Sequence, residues 1–239
     1  MKTRIKLGLI LVFSSLLIFS YTSCSNDDGY SLGDFWVDWA TVKENDGGSI
    51  SSFVLDDKDS TTLFVAATAT GYQPKNKRVI INYTILSDNY NGYDHAIKLN
   101  GYYADVLTKQ VLYVDPEDKV KQDSIGNDPI EIYSIWEAGG YLNFHFGYNT
   151  GEQNSHFISL ISGEPDLSVG SDVVNLEFRH NQNSDPQNYL VKGCASFDLL
   201  PYRIAGRETV KFNIKVKISS SETKNYEIQY KYGNAIPKK

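Results

Sequence analysis

The sequence predicts an all-β chain, and three observations carry that expectation. Seventeen Tyr, eleven Phe and three Trp stand against a single Met, and aromatic and β-branched side chains suit a pleated, half-buried surface. Apolar residues fall in short runs separated by clusters of Gly, Pro, Asn and Asp, the residues that turn a chain. No long stretch repeats apolar residues at i, i+3, i+4 and i+7, the spacing an amphipathic helix needs.

The first strand covers residues 34–42, where Phe35, Val37 and Trp39 share one face. Asn45-Asp46-Gly47-Gly48 makes a tight turn from residues that tolerate positive φ. Residues 49–55 return, and Asp56 to Asp59 turn the chain again into a strand at 61–67. Gly71 to Asn76 breaks the pattern before an apolar strand at 78–86. A polar, aromatic loop at 88–93 leads to a strand at 94–99, and Asn100-Gly101 starts a turn before the run 106–114. Five or six short, meandering strands fit a small closed barrel of the OB type over residues 34–115.

Residues 116–128 carry Pro116, Glu117, Asp118, Lys119, Lys121 and Asp123 with almost no apolar side chain, which marks them as a linker. Strand signals resume at 131–136, 141–148, 156–162, 172–180, 189–200, 209–218 and 225–232. This spacing, with Gly139-Gly140, Gly163-Glu164-Pro165 and Ser184-Asp185-Pro186 in between, predicts a seven-stranded β-sandwich over residues 129–239.

The N-terminus has a different character. Lys2, Arg4 and Lys6 precede an apolar run from Leu7 to Phe19, a charged region followed by a short hydrophobic one, as in a secretory signal. A membrane-spanning helix needs about 20 apolar residues, and this run stops at Ser20-Tyr21-Thr22-Ser23-Cys24. Small residues before a cysteine are what lipoprotein signal peptidase accepts, although Tyr21 stands where Leu is usual. Residues 1–23 are therefore expected to be removed and Cys24 to carry the lipid; the alternative is an ordinary secretory peptide that leaves Cys24 as a thiol. One acyl chain binds a membrane marginally and two or three bind it stably, so the mature chain needs no apolar segment of its own. Residues 24–33, with Asp27 and Asp28, read as a tether to the membrane, either plain or bearing a surface-export signal.

Removing the signal takes away three cations and no acids, leaving 20 cations against 29 acids and a net charge of −9. Phosphate backbones are held by clustered Lys and Arg, so nucleic acid is excluded as an expected partner. With Cys24 acylated, Cys194 is the remaining thiol and packs as a small hydrophobe rather than a nucleophile.

Motifs with chemical content are missing: no phosphate-binding loop, dinucleotide fingerprint, H-E-x-x-H or G-x-S-x-G occurs. A three-ligand zinc site needs a converging trio. Alternation puts His145 on an outer face with Asn143, and His156 and His180 on inward parity or at strand ends, so no metal and no cofactor is expected. Asp56, Asp57 and Asp59 lack the glycine and glutamate of a calcium loop. Aromatic residues remain. Tyr90, Tyr93, Tyr102 and Tyr103 bracket Asn89, Asn91, Asp94, Asn100 and Gly101. Tyr90 and Tyr93 are the candidate ligand contacts, since rings beside amides stack on sugars and bond hydroxyls; the plain alternative is that they cap the barrel.

Several strings carry a family resemblance: Asp27-Asp28-Gly29-Tyr30-Ser31-Leu32-Gly33-Asp34, Arg78-Val79-Ile80-Ile81-Asn82-Tyr83, Ser124-Ile125-Gly126-Asn127-Asp128-Pro129-Ile130, Leu176-Glu177-Phe178-Arg179-His180-Asn181 and Ser196-Phe197-Asp198-Leu199. Together they resemble the NigD-like family of Bacteroidales lipoproteins across the whole mature chain. The resemblance implies an N-terminal OB-like domain and a C-terminal β-sandwich, the division reached above, and it brings no catalytic or ligand-binding residues. The expected function is that of a lipid-anchored envelope protein on the outer membrane, or exposed at the cell surface. It would act as a non-enzymatic binding or accessory module toward a glycan or an envelope protein. A glycan-active enzyme and a structural subunit of a surface assembly are the alternatives.

Overall fold

Alternating side chains along five strands close the N-terminal half into a barrel. The strands are β1 (Trp36–Glu44), β2 (Ile50–Leu55), β3 (Thr62–Thr68), β4 (Arg78–Tyr90) and β5 (Tyr93–Asp105). They pair in the order β1-β2-β3-β5-β4, with β4 returning to β1 and only β3–β5 parallel. This computed structural model describes residues 29–165, 173–202 and 208–231; the expected signal peptide, Cys24 and the start of the expected tether lie outside them. Residues 32–239 form one unit, so barrel and sandwich are described together.

Ala40, Phe53, Leu63, Val79, Ile81 and Ile97 fill the barrel and are fully buried. Each large apolar side chain removed from water contributes about 1.5–3 kcal/mol. Along β1 the inward positions are Trp36, Ala40 and Val42, with Asp38 accepting a bond from the core residue Tyr83. Phe35, Val37 and Trp39 do share a face, but it is the outer one. A five-stranded barrel is too narrow for a second stripe of bulky residues, so Phe35 stays 62% exposed and Val37 41%.

Three local expectations give way. The segment 88–93 is no loop: β4 and β5 run on to Tyr90 and Tyr93 and join through Asn91-Gly92, whose φ values of 49° and 87° make the two-residue hairpin turn. Asn100-Gly101 is not a turn but the middle of β5. The β4–β5 register shifts after Ile80, Asn82 and Ile85, and such bulges supply the bending that closes a small barrel. Residues 106–114 add no barrel strand. They form β6 (Leu107–Lys109) and β7 (Leu112–Tyr113), which cross over to pair with the sandwich.

The seven strands expected of the sandwich are all present: β8 (Glu131–Ala138), β9 (Tyr141–Thr150), β10 (Phe157–Ser162), β11 (Val173–Asn181), β12 (Tyr189–Asp198), β13 (Thr209–Lys217) and β14 (Thr223–Lys231). With β6 and β7 they make two sheets, β14-β13-β11-β10-β7 and β6-β12-β9-β8. Phe144 stacks on Phe178 at 4.2 Å between the sheets, and Phe197 meets Phe144 edge-on at 5.7 Å, the offset and T-shaped geometries aromatic pairs prefer. Within the expected linker, Asp118 caps a short helix, α1 (Lys119–Ile125), by accepting from the Lys121 N–H. Arg179 and Asn181 of β11 donate to Gln122 and to the Ser124 carbonyl, so this segment is tied to the sandwich.

Arg78 joins the two halves. It sits at the start of β4 with none of its side chain exposed, pairs bidentately with Asp56, and donates to Thr41 at 2.7 Å and to Asn143 of β9 at 3.1 Å. Asn143 also accepts from Ser196, and Trp39 meets Trp136 of β8 edge-on at 4.8 Å. Gly139, at φ 62°, passes so close that a Cβ there would strike Thr41 and Arg78. Asp56 is thus an ion-pair partner at the junction, and Asp57 holds its turn by accepting from the Thr61 N–H at 2.8 Å.

Candidate functional site

On the outside of the barrel, Val37 of β1, Asn82 of β4 and Gly101 of β5 lie in one cross-strand row. Asn82, Asn100, Gly101, Tyr102 and Tyr103 line a shallow depression of about 320 Å³, at the lower end of the ~300–1,000 Å³ of small-molecule sites. Asn100 Nδ2 donates to Asn82 Oδ1 at 2.9 Å and to Thr84 Oγ1 at 3.0 Å, and Thr84 donates to the Asp34 carbonyl. This relay fixes both amides. Tyr103 is 68% exposed, whereas Tyr102 turns its ring against Phe53 and Tyr72. Asn100 and Tyr103 are bulged residues of β5, each skipped in the pairing with β4.

Tyr90 and Tyr93, the residues the sequence favoured, do come together, at the tip of the β4–β5 hairpin. Both pack on Phe64, with ring centroids at 5.1 and 5.4 Å, so each gives one face to the barrel. Asp94 is occupied too. It accepts from the Thr62 hydroxyl and N–H, both at 2.7 Å, and these bonds hold its carboxyl below the usual range. Cys24 lies outside the described residues.

A second constellation lies in the sandwich. His156 and His180, expected to point inward or to sit at strand ends, meet at 2.8 Å between His156 Nδ1 and His180 Nε2. His180 Nδ1 lies 3.1 Å from the Pro129 carbonyl, and His156 Nε2 lies 3.1 Å from Asp185 Oδ2. Burial would raise the Asp185 carboxyl, but bonds from the Gly151 N–H, the Thr150 hydroxyl, the Asn154 N–H and His156 outweigh it and hold the group well below the usual carboxylate range. Burial pushes the His180 imidazole down, against the opposing pull of the Pro129 carbonyl.

The outer nitrogen of each ring thus faces an oxygen and the inner two face each other. Tyr148 covers both rings at 4.6 and 5.1 Å. The group spends its bonding capacity inward and works as a buried brace that ties the β9–β10 connection to the β11–β12 connection and to the Pro129 carbonyl ahead of β8. Asp185 was missed because it sits in a Ser-Asp-Pro turn with nothing local to tie it to a histidine.

His145 stays on the outer face, as alternation required, beside Tyr133 at 5.0 Å and opposite Cys194. Burial pushes the Cys194 thiol up, which keeps it protonated and unreactive. Among the described residues no three His, Cys, Asp or Glu side chains are grouped to hold a metal ion, and no helix is long and apolar enough to cross a membrane.

Comparisons with known proteins match this architecture. A family model described as the NigD-like N-terminal OB domain matches residues 39–103, and one described as the NigD-like C-terminal beta sandwich domain matches residues 110–230. Among solved structures, a protein of Parabacteroides distasonis named as toxin-related is 33% identical, with 83% of this chain and 94% of that chain covered and a TM-score of 0.69. A protein of unknown function from Bacteroides vulgatus is 26% identical, with 85% and 95% covered and a TM-score of 0.68. A NigD-like immunity protein from Bacteroides caccae, 22% identical, shares the fold with a TM-score of 0.63 over 86% and 100% of the two chains. Among curated proteins none matches the chain.

Proposed function

Because this chain belongs to the NigD-like family, whose members pair an OB domain with a β-sandwich, we propose that it is a lipid-anchored envelope protein that works by binding rather than by turnover. Cys24 is its anchor and the outer membrane its location, with the β-domains presented on the tether of residues 24–33. A glycan or an envelope protein is the partner.

The contrast between two sets of polar groups carries this reading. The ionisable clusters at Arg78–Asp56 and at Asp185–His156–His180 are buried and bonded within the fold. The outer barrel face instead offers Phe35, Val37 and Tyr103 to solvent beside amides. Exposed apolar groups rimmed by polar ones mark interaction surfaces, while saturated buried networks hold a fold together.

Fractionation of cells expressing the full chain tests the anchor. The protein is expected in the membrane fraction, and Cys24→Ala is expected to release it. Membrane retention of the Cys24→Ala chain would overturn this reading, because the hydrophobic contribution of the acyl chains is what holds the protein there.

A further inference from the structure

Gly101 owes its glycine neither to its φ nor to a neighbour that fills the space beside it. Its φ is not in the left-handed region, and a Cβ built on it meets nothing within 4 Å. Two other strand glycines differ. A Cβ on Gly147 would strike the Tyr133 hydroxyl, and one on Gly193 would come within 2.6 Å of the Phe146 ring. Those two are filled by aromatic rings, whereas Gly101 faces open space. Glycine weakens a strand interior, and it is kept where a turn, a bulge or the close approach of a ligand demands it. Gly101 lies between two bulged residues of β5, Asn100 and Tyr103, which are skipped in the pairing with β4, and bulges re-aim the side chains beside them.

We propose that Gly101 is the open floor of a site for a neutral sugar ring, which stacks on Tyr103 and is held through its hydroxyls by Asn82 and Asn100. The inference rests on the reading of this chain as a binding protein and assigns that function a place and a ligand class. With Asn100 Nδ2 donating to Asn82 Oδ1 and Thr84 Oγ1, the Asn82 amide N–H groups and the Asn100 carbonyl oxygen are the donor and the acceptor that those bonds do not use. Adjacent hydroxyls of a pyranose match that pair. Tyr103 supplies the ring face and Val37 the apolar wall beside Asn82.

Two other ligand classes fit less well. An extended peptide adds to an open strand edge, but β4 is paired on both sides, and β5, paired with β3 as far as Leu99, is met beyond it by Tyr72, Lys75 and Asn76, which bond Asp105 or pack on Tyr102. A polyanion needs cations. None of the five lining residues is charged, and residues 24–116 carry 13 acids against 7 cations, a field that repels it.

The test uses the full mature chain carrying Cys24→Ala, passed over a panel of immobilised neutral oligosaccharides with heparin and poly-lysine as charged controls. At least one neutral glycan is expected to retain the protein. Gly101→Val and Tyr103→Ala are each expected to weaken that retention at least tenfold, while the unfolding midpoint of Gly101→Val stays level or rises. Retention by no neutral glycan, or retention that both variants keep, overturns the proposal. So does capture by a charged control alone. Release of Cys24→Ala from membranes is scored separately, so the anchor stands or falls apart from this site.

Discussion

Arg78→Met removes the cation that joins barrel to sandwich. It abolishes the bidentate pair with Asp56 and the bonds to Thr41 and Asn143, leaving the Asp56 carboxylate, 8% exposed, with a 3.3 Å bond from Trp136 Nε1. Removing one partner of a buried pair costs about 3–5 kcal/mol, a large share of the ~5–15 kcal/mol that holds a domain folded. Urea unfolding followed by far-UV circular dichroism and by tryptophan fluorescence measures the loss. The fluorescence is local, since Trp39 and Trp136 touch at the junction. Both signals are expected to shift together to lower urea. The double variant Arg78→Met with Asp56→Asn should recover part of the loss, because no charge is then left unpaired. A loss under about 1 kcal/mol would refute the reasoning, since it falls well short of the cost of an uncompensated buried charge.

Acid is expected to weaken the sandwich in two stages. His180 is held neutral, so the unfolded chain takes up the proton more readily and stability falls as pH drops below 6.5, its ordinary value. Asp185 is held ionised, so its contribution is present above 3.8 and is lost below that. Thermal midpoints measured from pH 8 to pH 5 should decline, and decline less in His180→Gln; a midpoint that rises with acid contradicts the assignment. Tyr90→Ala with Tyr93→Ala should cost about 1–3 kcal/mol in urea unfolding, for two aromatic contacts with Phe64 at ~0.5–1.5 kcal/mol each. Glycan retention at Gly101 should be unchanged, and its loss at unaltered stability would move the ligand to the hairpin tip.

The sandwich was legible because its strands alternate cleanly. Val210, Phe212, Ile214 and Val216 point inward on β13 while Lys211 and Lys215 point out. The barrel was legible in its strands but not in how they close. Asn-Gly occurs at 91–92 and at 100–101, and the dipeptide alone does not say which pair turns the chain and which sits in a bulged strand. Nor does an apolar run name its sheet. Leu107–Lys109 reads like a sixth barrel strand, yet it pairs with Ala195 to Phe197. The bulky stripe of Phe35, Val37 and Trp39 was visible, but parity does not say which side is inside. The pairing of Asp185 with His156, and of Asn82 with Asn100 beside an empty Gly101, depends on contacts between strands that no local pattern encodes.

Hydroxyl-radical footprinting of the protein on intact cells, set against the purified chain carrying Cys24→Ala, tests most directly whether the outer barrel face is the working surface. Tyr103 reports on that face, and Tyr189 of the sandwich, 45% exposed, serves as the internal reference. Oxidation of Tyr103 and Phe35 is expected to drop several-fold on cells while Tyr189 stays as reactive as in the purified chain. Equal oxidation of Tyr103 in both samples, or protection confined to the sandwich, would contradict the account.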